Sequence, residues 1–333
     1  MRINISPEVI ASRVESFFGE QVINISAPGG KSRGSYRVNF QNKSIIVTSR
    51  DTLEQTSYEA LILGELQKYT KASPAFLGQD NELMFQSDVG AKRLGQHMYQ
   101  LDTAAQECMA QNAVTALFDI HKAARQTNLA GKLHQMGGTS DWVHAFVAAM
   151  DKLADVLDID RLQCDQNALC NFVGTPKKQF VKWDCRAGNA AIDIDGNVRW
   201  FDFEYAGIRH GAEDFAWLIA DENWPVNADI MLEIINHAYP ADSSHNWQDF
   251  KTYLEVYAAL HAIKRLILIV NRANRKGWVS QAQALRKDGI GTNPILAIKL
   301  CETGIILAQR NTVSLPLVKL FEAVAGKFRK TMS

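Results

Sequence analysis

A chain of 333 residues has length for about two domains of ordinary size. Apolar residues at 47% and charged residues at 22% match soluble globular proteins and exclude wholesale disorder. The 36 basic residues balance 36 acidic ones, which argues against a nucleic-acid partner, and the longest strongly apolar run, residues 266–270, falls far short of the ~20 needed to span a bilayer.

Residues 1–7 lack the long apolar core of a signal peptide, and the five cysteines include no Cys-x-x-Cys pair. The expectation is a cytoplasmic protein with reduced thiols and no membrane partner; its oligomeric state is not legible. No His-x-x-x-His pair occurs, which disfavours a zinc site.

In chain order, residues 22–27 read as a short strand and 28–34 as turn chemistry. Residues 35–40 and 44–49 alternate as a hairpin. A helix follows over 53–69, with Asp51 or Thr52 as N-cap, then a strand over 83–86. After Gly90 the pattern turns helical, over 97–127, 139–157, 247–273, 293–310 and 315–328. One β-like island interrupts it. Residues 180–183, 190–194 and 198–203 are apolar, and Asp195-Gly196-Asn197 makes a hairpin turn between the last two. The fold class is α+β, with a β-rich part over 1–86 and a mainly helical part over 87–333.

The edges of that hairpin carry the chemistry. Asp184 and Asn189 precede it, and Asp202 ends its returning strand, so folding back gathers all three at one end of a ribbon. Phosphoryl transfer to an alcohol needs such a set. One carboxylate orients the hydroxyl and accepts its proton, while a second carboxylate and an amide oxygen hold Mg²⁺ against ATP. Protein kinases space an Asp, an Asn and a later Asp in this way. The bland alternative is an N-capping Asp, a turn Asn and a strand-end Asp.

Asp184-x4-Asn189, then the run Trp200 to Gly207, then Glu213-Asp214-Phe215-Ala216, resembles the aminoglycoside phosphotransferase and choline kinase family. The segment 116–121, ending in His121, is similar to that family's Leu-His helix end. The resemblance implies a two-lobed protein-kinase-like fold that phosphorylates a small hydroxyl compound such as an aminoglycoside, amino alcohol or sugar. It further implies Asp184 as base, Asn189 and Asp202 as Mg²⁺ ligands, and Asp214 as a brace for the catalytic loop. Glu204, in an Asp-x-Glu-Tyr segment, joins the metal side. Lys182 stands where the family usually has a His.

The strand expected to deliver a phosphate-binding Lys offers Thr48 at the most similar position, with Arg50 on the same face two residues on. Arg50 either substitutes for the Lys, with Glu59 as its carboxylate partner, or is a solvated strand end. Arg186 either faces the γ-phosphate or is a surface cation. Gly30-Lys31-Ser32 is not a P-loop, because Ile25 occupies the first glycine position and a strand follows. A glycine turn over the phosphates (Gly29, Gly30, Gly34) fits the element order, with Ser32, Arg33 and Ser35 as further donors; an ordinary hairpin turn fits too. Ser87 falls at the hinge, where backbone groups meet adenine. Trp217, Trp224, Asp221 and Glu222 offer an aromatic-acidic wall for a cationic acceptor, or else core tryptophans with solvated acids. The rival from another class is a non-catalytic kinase-like binding protein.

Overall fold

Ser6 accepts a hydrogen bond from Val9 N–H, and Pro7 occupies a position whose N–H has no helical partner, so a helix begins at once. The computed structural model describes residues 5–30, 34–174, 177–243, 246–286 and 289–332. This first helix, α1 (Pro7–Phe18), precedes β1 (Asn24–Ser26), β2 (Ser35–Asn39), β3 (Ser44–Thr48), α2 (Leu53–Leu66), β4 (Phe76–Asp80) and β5 (Leu83–Ser87). The strands form one antiparallel sheet in the order β1-β2-β3-β5-β4. Val38, Ile45, Val47 and Phe85 alternate onto the face that α1 covers with Ile10 and Val14. Met84 points to the other face, into the core shared with Ile62, Leu63 and Leu66 of α2. Arg13 fastens α1 to the sheet through Asp80 at 2.6 Å and Glu82 at 2.7 Å.

The second part runs β6 (Lys92–Arg93), α3 (Leu94–Met98), α4 (Thr103–Arg125), α5 (Ser140–Val147), α6 (Ala149–Leu157), α7 (Gln166–Gly174), β7 (Gln179–Val181), β8 (Ala190–Ile192), β9 (Val198–Trp200) and β10 (Gly207–Arg209). It continues with α8 (Ala212–Ile219), α9 (Ala228–Ala238), α10 (Trp247–Lys276), α11 (Gln281–Leu285), α12 (Pro294–Ala308) and α13 (Leu317–Met332). The long helix α10 is its axis, burying Leu254, Tyr257, Ile263 and Leu266. Among the described residues no helix is long and apolar enough to cross a membrane.

The observed architecture is the expected α+β, two-lobed, protein-kinase-like one. Its details differ, and three of the differences fall in elements that the sequence did mark. The helix expected over 97–127 is two, because Asp102 turns the chain and caps α4 through Ala105 N–H. The helix expected over 139–157 breaks at Ala148 into α5 and α6. The island is not a lone hairpin: β6 pairs with β8 to make a three-stranded sheet, while β7 pairs separately with β10.

Candidate active site

The β8–β9 hairpin places Ala190 opposite Trp200, and Phe201 N–H donates to Asn189 C=O at 3.0 Å. Residues 189 and 202 are therefore brought to the same end of the ribbon, beside the loop that carries Asp184. That loop is sharply bent. Trp183 and Asp184 both have positive φ (60° and 48°), as does Asp202 (67°). Such conformations cost about 1–3 kcal/mol each for a residue with a Cβ and persist only where surroundings impose them. Asp214 holds the bend at 183–184: fully buried at the start of α8, it accepts Lys182 N–H at 2.7 Å and Trp183 N–H at 2.8 Å. His121, in the last turns of α4, meets the same carboxylate at 2.8 Å.

Asp184 accepts Arg186 Nε at 2.7 Å, Arg186 Nη2 at 3.2 Å and Asn189 Nδ2 at 2.8 Å. A carboxylate has about four lone-pair sites, so one is left open, on Oδ1. Asn189 Nδ2 also donates to Asp184 C=O at 2.9 Å, leaving Oδ1 of the amide without a described protein donor.

Arg50, at the end of β3, is the electrostatic hub. Its side chain is 5% exposed and reaches Glu59 at 2.6 Å, Asp202 Oδ1 at 2.6 Å and Glu204 at 3.1 Å. Burial alone would lower the pKa of this guanidinium; Glu59, Asp202 and Glu204 reverse that and raise it. Burial pushes Asp202 up, yet Arg50, Lys182 and Arg186 hold it below the usual carboxylate range. Asp202 Oδ2 has no described protein donor. Glu59, fully buried on α2, also accepts Phe203 N–H at 2.8 Å, tying the first lobe to the Asp202 segment. Lys182 is buried and donates to Asp202 C=O at 3.0 Å, so it positions that segment from behind.

Arg50, Asp184, Arg186, Asn189, Asp202 and Glu204 line a cleft of about 770 Å³ between the sheet and the helical part. Pro28, Gly29 and Ser35 border it from the glycine turn, where Gly30 (φ 89°) and Gly34 (φ 65°) bend the backbone without lining the cleft. Lys31, Ser32 and Arg33 lie outside the described residues. Thr48, the expected lysine position, instead accepts Gln86 Nε2 at 3.1 Å, and Arg50 is the cation that faces the carboxylates. Ser87 lines the cleft, but its N–H is committed to Ala75 C=O at 2.9 Å and is unavailable to a base edge. Asp88 is fixed by Arg37 at 2.5 Å and Ser44 at 2.7 Å.

Asn189 Oδ1 and Asp202 Oδ2 are hard oxygen donors suited to Mg²⁺, and both residues border the cleft. Among the described residues no group of three His, Cys, Asp or Glu side chains could hold a metal by itself. An ion seated here would complete its shell with phosphate or water oxygens, as Mg²⁺ does in nucleotide sites.

Sequence reasoning missed the Arg37–Asp88 pair, the seat of Lys182 and the cleft-lining Arg265 and Arg272. These partners are dozens of residues apart, and no local spacing announces them.

A sequence model described as the phosphotransferase enzyme family matches residues 30–247. Comparison with curated proteins found no match. Among solved structures, spectinomycin phosphotransferase in complex with ADP and spectinomycin is 12% identical, with 99% of each chain covered and a TM-score of 0.55. A choline/ethanolamine kinase family protein from Mesorhizobium loti is 12% identical over 91% of this chain and 93% of that one, with a TM-score of 0.54. An ADP-bound aminoglycoside phosphotransferase is 10% identical over 90% and 97%, also with a TM-score of 0.54. At such identities these likenesses establish a shared fold.

Proposed function

The chain belongs to the phosphotransferase enzyme family, and from that premise we propose that it transfers the γ-phosphoryl group of ATP to a hydroxyl of a small molecule, with Mg²⁺. The observation that carries this reading is the convergence of Asp184, Asn189 and Asp202 on one cleft. The acceptor oxygen bonds to the γ-phosphorus as the bond to the ADP oxygen breaks, and the hydroxyl proton passes to Asp184 Oδ1. Bound Mg²⁺ would supply charge neutralisation at the phosphates, held by Asn189 Oδ1 and Asp202 Oδ2.

Arg50 holds Asp202 and Glu204 in register and, two residues past the expected lysine position at Thr48, brings positive charge to the site. Arg186 orients Asp184 and adds a cation beside the transferring group. Gly29, Gly30 and Gly34 shape the turn over the phosphates, and the segment after Ser87 meets the base. Family membership and the nucleotides named in the neighbours' complexes support the choice of ATP.

The engagement of most of Asp184 by Arg186 and Asn189 favours a second reading, a nucleotide-binding protein without turnover. An ATP-consumption screen over hydroxyl compounds, run with wild type and Asp184→Asn, separates the two. A catalytic Asp184 predicts turnover that falls by at least about a hundredfold in the variant, with little change in melting temperature. Equal turnover in both proteins would remove the mechanism.

A further inference from the structure

The cleft wall beyond Asp184 is built of hydrogen-bond donors. Trp183 and Trp217 lie with ring centroids 6.2 Å apart, and Trp217 packs on His261 at 4.1 Å. Arg265, Leu268 and Arg272 border the same cleft from α10, and their i, i+3, i+7 spacing puts them on one face of that helix. Arg186 borders the cleft too; burial lowers its pKa, and Asp184, with smaller effects from Asp221 and Glu222, reverses that and raises it.

The acids that sequence offers for a cationic acceptor do not border the cleft. Asp221 is buried and accepts Ala187 N–H at 3.2 Å and Asn223 N–H at 3.0 Å. Glu222 is buried too, forked onto Arg265 at 2.9 and 2.7 Å and accepting Gly291 N–H at 2.6 Å. The carboxylates that do border the cleft are matched: Asp88 by Arg37, Asp184 by Arg186, Asp202 and Glu204 by Arg50.

One donor on this wall has no counterpart: half-buried Arg272 makes no ion pair with a described residue. An ammonium group here would meet arginines and, among the described residues, no carboxylate without a cationic partner. An anionic oxygen group would meet the Arg272 guanidinium fork, the pairing that charge-assisted bonds favour.

We propose that the acceptor carries, beside its reacting hydroxyl, a carboxylate or phosphate group held by Arg272, and that cationic amino alcohols are disfavoured. This rests on the phosphotransfer reading and narrows it. The hydroxyl still transfers its proton to Asp184 and takes the phosphoryl group; the anionic group positions the molecule and is unchanged.

The test uses calorimetry on the ADP-loaded protein together with ATP-consumption kinetics. Glycerate, malate, serine and threonine form the carboxylate arm, and glycerol phosphate and glucose phosphate form the phosphate arm. Choline, ethanolamine and gentamicin are the cationic set. The expected result is binding and turnover of members of one anionic arm in preference to the cationic set, and the responding arm identifies the group. Arg272→Ala should raise KM for that anion about tenfold or more, the loss falling on KM rather than kcat, and Arg272→Lys should recover part of it. Tighter binding of the cationic set, no binding of any anion, or an unchanged KM in Arg272→Ala would overturn the inference while phosphotransfer stood. Failure of ADP itself to bind would take down the phosphotransfer reading beneath it.

Discussion

At the scale of single residues, Arg50 concentrates the most consequence. It neutralises Glu59, which has no solvent contact, and holds Asp202 and Glu204. Arg50→Ala strands a buried carboxylate and should cost about 3–5 kcal/mol in urea denaturation. Arg50→Lys should cost less but not zero, since one ammonium cannot reproduce a fork across three partners. Asp88 gives a pH signature. Burial pushes its pKa up, but Arg37, Ser44 and Gly90 N–H hold it below 3.8. A carboxyl lowered on folding adds stability above its unfolded pKa and loses it as pH falls through its folded value. The stability gap between wild type and Asp88→Asn should therefore narrow below pH 3.8 when melting is followed across acid pH. Asp184, Asn189 and Asp202 were legible because one hairpin joins them. Arg50 was legible only as an alternative, since nothing near it in sequence says that Asp202, 152 residues away, is its partner.

Among the elements, the long helices announced themselves and the short strands did not. α10, α12 and α13 lie within a few residues of where periodicity puts them, because each buries a stripe several turns long. β6 has two residues and β10 three, and each exists only because a distant strand completes its ladder. α1 and α9 went unread although both have sequence-level N-caps, in Ser6 and Asn227. The glycine turn joins β1 to β2 under a constraint that sequence alone leaves open. A Cβ on Gly34 would sit 2.7 Å from Ser49 C=O, and its φ of 65° disfavours any side chain. Gly34→Ala should destabilise the protein by about 1–3 kcal/mol, read as a lower denaturation midpoint with an unchanged slope.

For the whole molecule, the cleft is the seam between two cores. One lies under α1 within the sheet, and the other runs from α2 through the helical part. A ligand gripping both walls binds the folded state and not the unfolded chain. ATP with Mg²⁺ at a hundredfold excess over Kd should add ~2.7 kcal/mol, seen as a rise of several degrees in melting temperature. Omitting Mg²⁺ should shrink that rise, because Asn189 and Asp202 would then face the phosphates without a bridging cation. No movement of the melting curve with nucleotide would count against both the transferase and the nucleotide-binding readings.

The single carboxylate of Asp214 grips two consecutive backbone amides of the loop that carries Asp184 and, through His121, the helix behind it. Because that clasp is sealed inside the helical core, the loop has no independent hinge. Local breathing and collapse of the lobe become one event, so heat inactivation should coincide with melting instead of preceding it.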